Sequence, residues 1–241
     1  MKEKIPGIIG GMGPEATVDL MQRIIKNTPA LDDIDHIHCI VDNNPKIPSR
    51  IKAILEDQGE NPGPCMAEMG KRLQEYGADF LVIPCNTAHH YYNDVKKAVT
   101  IPVVHLIDLV VETVVTEHPG MSRVGILGST TIVKTKLYKT LLANRGIEVV
   151  YPDPDIQENL FGVIKDVKRG ETNDETRESF SAIGNHLKNK GVTLAILGCT
   201  ELGIIADNLP LTYIDAAEVL AKEVVAVAKN QKSPHTGQLI S

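Results

Sequence analysis

Short apolar runs alternate with longer stretches of helical spacing from one end of this chain to the other. Apolar runs bounded by Gly, Pro or Asn fit strands buried on both faces. The pattern predicts strands at Pro6–Gly10, Ile37–Val41, Phe80–Pro84 and Val103–His105. A second set follows at Val124–Leu127, Glu148–Val150, Leu194–Leu197 and Thr212–Ile214. Between them, Glu15–Asn27, Cys65–Tyr76, Thr131–Ala143 and Ser179–Asn189 repeat apolar residues at the three- and four-residue steps of a helix face. Strands alternating with helices predict an α/β fold of mainly parallel sheets flanked by helices. The tail from Gln231 to Ser241 reads as loose.

The pattern is itself repeated. Gly7-Ile8-Ile9-Gly10-Gly11 is echoed by Gly125-Ile126-Leu127-Gly128-Ser129, and Ile101-Pro102-Val103 by Leu209-Pro210-Leu211. Between these landmarks, Asp79–Thr87 and Thr193–Glu201 both read as a buried strand ending in a cysteine, Cys85 and Cys199. Gly128 lies 118 residues beyond Gly10, Cys199 lies 114 beyond Cys85 and Pro210 lies 108 beyond Pro102, so order is kept while loop lengths drift. A period this long is a duplicated domain. Ordinary βαβ repetition would return the strands alone, without the landmarks. The expected organisation is two pseudo-symmetric domains with an active site in the cleft between them. Residues 1–102 with 213–241 form one and 103–212 the other, the last helix (Ala216–Lys229) returning to the first half.

Composition narrows the function. A net charge of −6 and 4% aromatic residues argue against a nucleic-acid surface, which needs clustered Lys and Arg. The longest apolar run, Asp108–Val115, is broken by acids and too short for a bilayer. Met1-Lys2-Glu3-Lys4 leads straight into a strand without the apolar core of a signal peptide, and Cys39, Cys65, Cys85 and Cys199 form neither a CxxC pair nor a metal-ligand cluster. The expectation is a cytoplasmic protein with free thiols.

A cysteine at a strand's carboxyl end stands where open α/β sheets hold ligands, and a helix amino-terminus behind it favours a thiolate. Asn86, Thr87 and Thr200 are cap-forming types that leave donors for a carboxylate ligand. His89 falls within a helical turn of Cys85, and Glu201, two residues past Cys199, opposes that thiolate if the two are close. Either cysteine alone reads as a core residue closing a strand. Both together, each followed by polar residues, point to chemistry. Cys39 and Cys65 have no repeat partner and read as structural.

Asp42–Arg50 begins where the second strand ends, with Ser49 placed to cap a helix carrying Arg50 in its first turn. Arg grips carboxylates bidentately, although a solvated surface Arg reads equally well there. Lys168 offers a second cation, with Lys165 and Arg169 as rivals, and all three also read as ordinary helix-end cations. Gly11-Met12-Gly13-Pro14-Glu15-Ala16 fits a G-x-G-x-x-A dinucleotide pattern, and equally a loop presenting the Met12 and Gly13 amides to a small carboxylate.

Together these segments resemble the aspartate/glutamate racemase family over nearly the whole chain. Ile9–Thr17 resembles the opening motif of its aspartate racemase branch, and Asn43–Arg50, Pro84–His89 and Gly198–Glu201 resemble three further motifs. The Asp-Ser-Gly opening of cell-wall glutamate racemases is absent, which ranks aspartate ahead of glutamate. The resemblance implies a cofactor-independent, two-domain enzyme, often a homodimer, with Cys85 and Cys199 as the two acid/base groups. It further implies that Arg50 and Lys168 bind substrate carboxylates, with Thr87 and Thr200 beside the thiols and Met12, Gly13, Asn86 and Glu201 completing the site. No lysine motif for pyridoxal phosphate is evident. The competing readings are a glutamate or broader amino-acid racemase, a non-catalytic carboxylate-binding protein, and, from the glycine loop alone, a nucleotide-dependent oxidoreductase.

Overall fold

The computed structural model describes residues 2–56 and 59–237, which divide into two units. The first comprises the residues up to Leu109 together with those from Ala217 onward; the second is Val110–Ala216.

In chain order the first unit holds β1 (Pro6–Gly10), α1 (Pro14–Asn27), β2 (Ile40–Asn43), α2 (Arg50–Leu55), α3 (Gly63–Glu75), β3 (Phe80–Val82) and α4 (Tyr92–Ala98). The three strands form a parallel sheet in the order β2-β1-β3. α1 packs on β1, and α3 packs on the sheet and against α4. The core gathers Ile9, Met66, Met69, Leu73, Leu81 and Val95, all 2% exposed or less. Each such side chain stabilises the fold by roughly 1.5–3 kcal/mol relative to exposure. Helix α5 (Leu106–Glu117) then carries the chain across the division at Leu109.

The second unit holds β4 (Arg123–Leu127), α6 (Thr130–Thr135), α7 (Leu137–Ala143), β5 (Glu148–Val150), α8 (Pro154–Lys168), α9 (Asp174–Asn189), β6 (Leu194–Leu197) and β7 (Thr212–Asp215). Its sheet is parallel in the order β5-β4-β6-β7, and α10 (Ala216–Ala228) follows. The core is built from Leu160, Ile164 and Val167 of α8, Phe180 and Leu187 of α9, and Leu127, Ala195 and Leu197 of the sheet. The two sheets share a topology. In both, the first strand is central, the second lies on one side of it and the third on the other.

Several elements differ from the sequence expectation. The second strand runs Ile40–Asn43, not Ile37–Val41, and its register begins at Gly7↔Ile40. Pro6, which opens β1, has no N–H for an earlier rung. Val103–His105 reduces to one bridge between Leu81 and Val103, because the His105 N–H is taken by the His235 carbonyl at 2.8 Å. The helix expected over Thr131–Ala143 breaks at Lys136, which adopts a left-handed conformation at φ 55°. The helix expected from Cys65 starts two residues earlier, at Gly63. Helix α8 was not expected, although Leu160, Val163, Ile164 and Val167 repeat at helical spacing; Pro152 and Pro154 punctuate its start and hide it. Among the described residues, no helix is long and apolar enough to cross a membrane.

Candidate active site

In the first unit the chain steps from central β1 to β2 on one side and then to β3 on the other. The crevice at the carboxyl ends of β1 and β3 is therefore the topological switch point, where open α/β sheets take ligands. The Gly11–Gly13 turn and Cys85 both emerge there. Thr17 fixes the turn: its Oγ1 accepts from the Gly11 N–H at 2.9 Å and donates to the Gly13 carbonyl at 3.2 Å. Gly11 has φ +94°, and a Cβ on it would lie 2.2 Å from the Asn44 carbonyl oxygen. Its missing side chain thus serves contact with the backbone that follows β2. The Met12 side chain is 3% exposed and belongs to the core, leaving the main chain as its contribution to any ligand.

The Cys85 thiol closes the same edge, 9% exposed against the first core. Asn86 is buried and Thr87 half-buried at the start of a 3-10 turn, Thr87–Tyr91, rather than an α-helix. His89 does not turn toward the thiol. Its Nδ1 donates to the Cys85 carbonyl at 2.9 Å and its Nε2 accepts from the Leu106 N–H at 3.0 Å. Burial holds its pKa down at about 3, so it stays neutral.

Arg50 sits in the first turn of α2, whose Ser49 cap accepts from the Lys52 N–H at 3.3 Å. Its Nη1 donates to the Pro48 carbonyl at 3.2 Å, while its buried Nε has no hydrogen-bond partner among the described residues. Burial pushes the Tyr91 phenol up, and the nearby Arg50 charge opposes that shift. Tyr91 was not singled out from sequence; its spacing from Arg50 carries no signal that the Arg50 charge acts on its phenol.

The second unit repeats the arrangement. β4 is central, β5 and β6 flank it, and Cys199 follows β6 while the Ser129–Thr131 turn follows β4. Cys199 is partly exposed, and its Sγ donates to Glu201 Oε2 at 2.9 Å. Glu201 is 3% exposed; its Oε2 also accepts from Thr200 Oγ1 at 3.3 Å. Lys168, at the end of α8, places Nζ 3.5 Å from Oε1, an ion-pair distance without hydrogen-bond geometry. The rival cations go elsewhere: Lys165 lies 4.2 Å over the Phe161 ring, and Arg169 pairs with Asp166 at 3.3 Å. The residues after Cys199 form a 3-10 segment, Thr200–Asn208, again in place of the expected α-helix. A cavity of about 480 Å³ adjoins the β4 turn, lined by Thr130, Val133, Tyr151, Pro152, Gln157 and Phe161 among others. Gln157 donates to the Gly128 carbonyl at 2.8 Å; this contact also escaped the sequence reading.

Cys39 and Cys65 belong to neither arrangement. Burial pushes the Cys39 thiol up to about 11 and raises that of Cys65. Among the described residues, no group of three His, Cys, Asp or Glu side chains is placed to hold a metal ion.

Residues 9–224 match the model of the Asp/Glu/hydantoin racemase family. The chain belongs to that family. Among solved structures, this chain is similar to the aspartate racemase of Picrophilus torridus, with a TM-score of 0.84 and 32% identity over 94% of each chain. By sequence it is 26% identical over 226 residues to the broad-specificity amino-acid racemase RacX of Bacillus subtilis, covering 91% of this chain and 96% of that one. A glutamate racemase of Persephonella marina is 28% identical over 148 residues, 61% of this chain and 55% of the relative. The protein is thus a member of an amino-acid racemase family with the α/β architecture of its structural relatives.

Proposed function

We propose that this racemase interconverts L- and D-aspartate without a cofactor, each unit supplying one thiol to the reaction. The observation that carries the proposal is the equivalence of Cys85 and Cys199, each at the switch-point edge of a sheet with the same strand order. A thiolate on one side removes the α-proton, and the thiol on the other donates a proton to the opposite face. The first cysteine ends as a thiol and the second as a thiolate, so the reverse reaction begins where the forward one ends.

Cys199 stands ready for this exchange, because its proton already points at a carboxylate that Lys168 pairs. Arg50 anchors a substrate carboxylate through the Nε and Nη donors on its free edge. The Met12–Gly13 main chain, Asn86, Thr87 and Thr200 surround the α-carboxylate and stabilise the charge that develops on it. Lys168 and Glu201 act through Cys199 in this reading, a revision of their expected role as direct substrate contacts. Aspartate is favoured by Arg50 and by the likeness to the Picrophilus enzyme. A broader amino-acid range is the second reading, favoured by the likeness to RacX. Self-association as a homodimer belongs to the same proposal, and sedimentation velocity tests it.

The deciding experiment is proton NMR of the purified protein with L-aspartate in deuterium oxide, followed by chiral chromatography. Loss of the α-proton signal with D-aspartate formed supports the proposal. Binding without exchange points to a carboxylate-binding protein, and turnover of other amino acids alone points to the second reading.

A further inference from the structure

His89 is clamped into the first unit by hydrogen bonds to the Cys85 carbonyl and from the Leu106 N–H, with the Val104 main chain also acting on the ring, and none of these involves a thiol. A carbonyl only accepts and a peptide N–H only donates. The bonds to the Cys85 carbonyl and the Leu106 N–H therefore fix one tautomer, with the proton on Nδ1 and a lone pair on Nε2. An imidazolium would set an Nε2–H against the Leu106 N–H, at the amino-terminus of α5 where a cation is already disfavoured. The ring is 3% exposed, stacks on Tyr92 at 6.1 Å and meets the edge of His105 at 5.4 Å.

The consequence falls on Cys85. Its own N–H donates to the Ile83 carbonyl at 2.8 Å, and its carbonyl is held by His89, so the peptide groups on both sides of its Cα are fixed. With the main chain pinned, the thiol's direction is left to one side-chain torsion. The other end of the same ring satisfies the first N–H of α5, one of the donors a helix start leaves open. We propose that His89 is a positioning residue for the racemase reaction, a neutral strut that aims the Cys85 thiol by tying its peptide to the start of α5. This rests on the two-thiol reading above. It does not make His89 a proton carrier.

The two bonds are separable by substitution. Asn places an amide donor near the Nδ1 position, so His89→Asn keeps the bond to Cys85 and loses the one to Leu106. Gln places an acceptor near the Nε2 position, so His89→Gln keeps the cap and loses the hold on Cys85. Both fill most of the site, so a folded pair is available even if His89→Ala does not fold.

The readout is where deuterium goes in deuterium oxide, starting from each enantiomer of the substrate separately. In the unaltered protein the carbanion formed on one face is quenched from the other, and label enters the product. With the Cys85 thiol misaimed, the enantiomer deprotonated by Cys199 still forms its carbanion. Cys199, having exchanged with solvent, then returns a deuteron to the same face, so label enters the remaining substrate. The opposite enantiomer, which depends on Cys85 for proton removal, acquires label in neither species. We expect His89→Gln to show this asymmetry with turnover reduced by about 100-fold, the scale of an ångström-sized misplacement. His89→Asn should keep the unaltered label pattern. A merely structural role would lower both directions alike, with the same label partition as the unaltered protein; that outcome, or wild-type behaviour of His89→Gln, overturns the proposal. If the unaltered protein labels no amino acid at all, the racemase reading fails first, and this proposal with it.

Discussion

The Cys199 thiol donates to the Glu201 carboxylate at 2.9 Å, and Lys168 approaches the other carboxylate oxygen at 3.5 Å. A carboxylate this close has two opposed effects. It accepts the thiol proton, which helps form the nucleophilic base. It also repels the thiolate once formed, which Lys168 offsets. Glu201→Gln removes both effects together. Alkylation of Cys199 by iodoacetamide at neutral pH should therefore speed up, because the repelling charge is gone. Racemisation should fall by about 10²-fold or more, because a local proton acceptor is lost. Lys168→Met should slow both. Rates of alkylation and turnover that rise or fall in parallel in Glu201→Gln would refute the relay from thiol to carboxylate.

Arg50 carries a buried Nε with no hydrogen-bond partner among the described residues, while its Nη1 is occupied by the Pro48 carbonyl. An unmet donor on a guanidinium is what a bound carboxylate would satisfy. A hydrogen bond to a charged group contributes about 1.5–3 kcal/mol, roughly a 10- to 100-fold effect on binding. Arg50→Leu should raise the KM for aspartate by that factor with a smaller change in kcat. Succinate, which is achiral and carries both carboxylates, should inhibit the unaltered enzyme and lose its grip on the variant. Equal inhibition of both proteins would remove Arg50 from substrate binding.

The apolar pattern placed β1 and β6 correctly because both are buried throughout, and β5, an edge strand with Glu148 exposed, also falls where its short run places it. It misplaced β2 because His36–Cys39 alternates like a strand yet has no β1 partner beyond Pro6. It split badly over Thr131–Ala143 because a left-handed lysine leaves no compositional trace. The placement of Cys85 and Cys199 just past the ends of β3 and β6 was legible because the duplicated sequence marks that position twice. Their partners were not. Glu201 read as a repulsive neighbour of Cys199 because Lys168, distant in sequence and on an unrecognised helix, supplies the compensating charge. His89 read as a neighbour of the Cys85 thiol because helical spacing brings it close, but spacing says nothing about which atom of Cys85 it meets.

His89 also sets a pH dependence. Burial holds its folded-state pKa at about 3 against an ordinary value of 6.5. Between those values the unfolded chain binds a proton that the folded chain refuses. The contribution is therefore intact above pH 6.5 and is lost as pH falls toward 3, at up to about 1.4 kcal/mol per unit. Burial lowers His105 in the same direction. Asn at position 89 takes up no proton, so His89→Asn should lose stability less steeply on acidification. Urea unfolding of both proteins at about pH 7.5 and about pH 5 measures the difference. Identical acid slopes would mean that the ring is protonated in the folded state.

Gly11 links the β1 turn to Arg50 through main-chain contacts. A side chain there would strike the Asn44 carbonyl, which accepts from the Ile47 N–H at 3.5 Å, while the Asn44 side-chain oxygen accepts from the Lys46 N–H at 2.9 Å. Ile47 is 4% exposed, and two residues later Ser49 caps the helix that starts with Arg50. Gly11→Ala therefore meets two penalties. A left-handed residue with a Cβ costs roughly 1–2 kcal/mol by itself, and the contact with Asn44 forces the two loops apart. We expect a loss of more than about 2 kcal/mol in stability, large for a single methyl group. The displaced loop should also carry Arg50 away from its position, so the KM for aspartate should rise beyond what destabilisation explains. Measuring the melting temperature and the KM together separates the two effects. A destabilised variant with an unchanged KM would show that Arg50 is positioned independently of this contact, by the Ser49 cap and the Pro48 carbonyl.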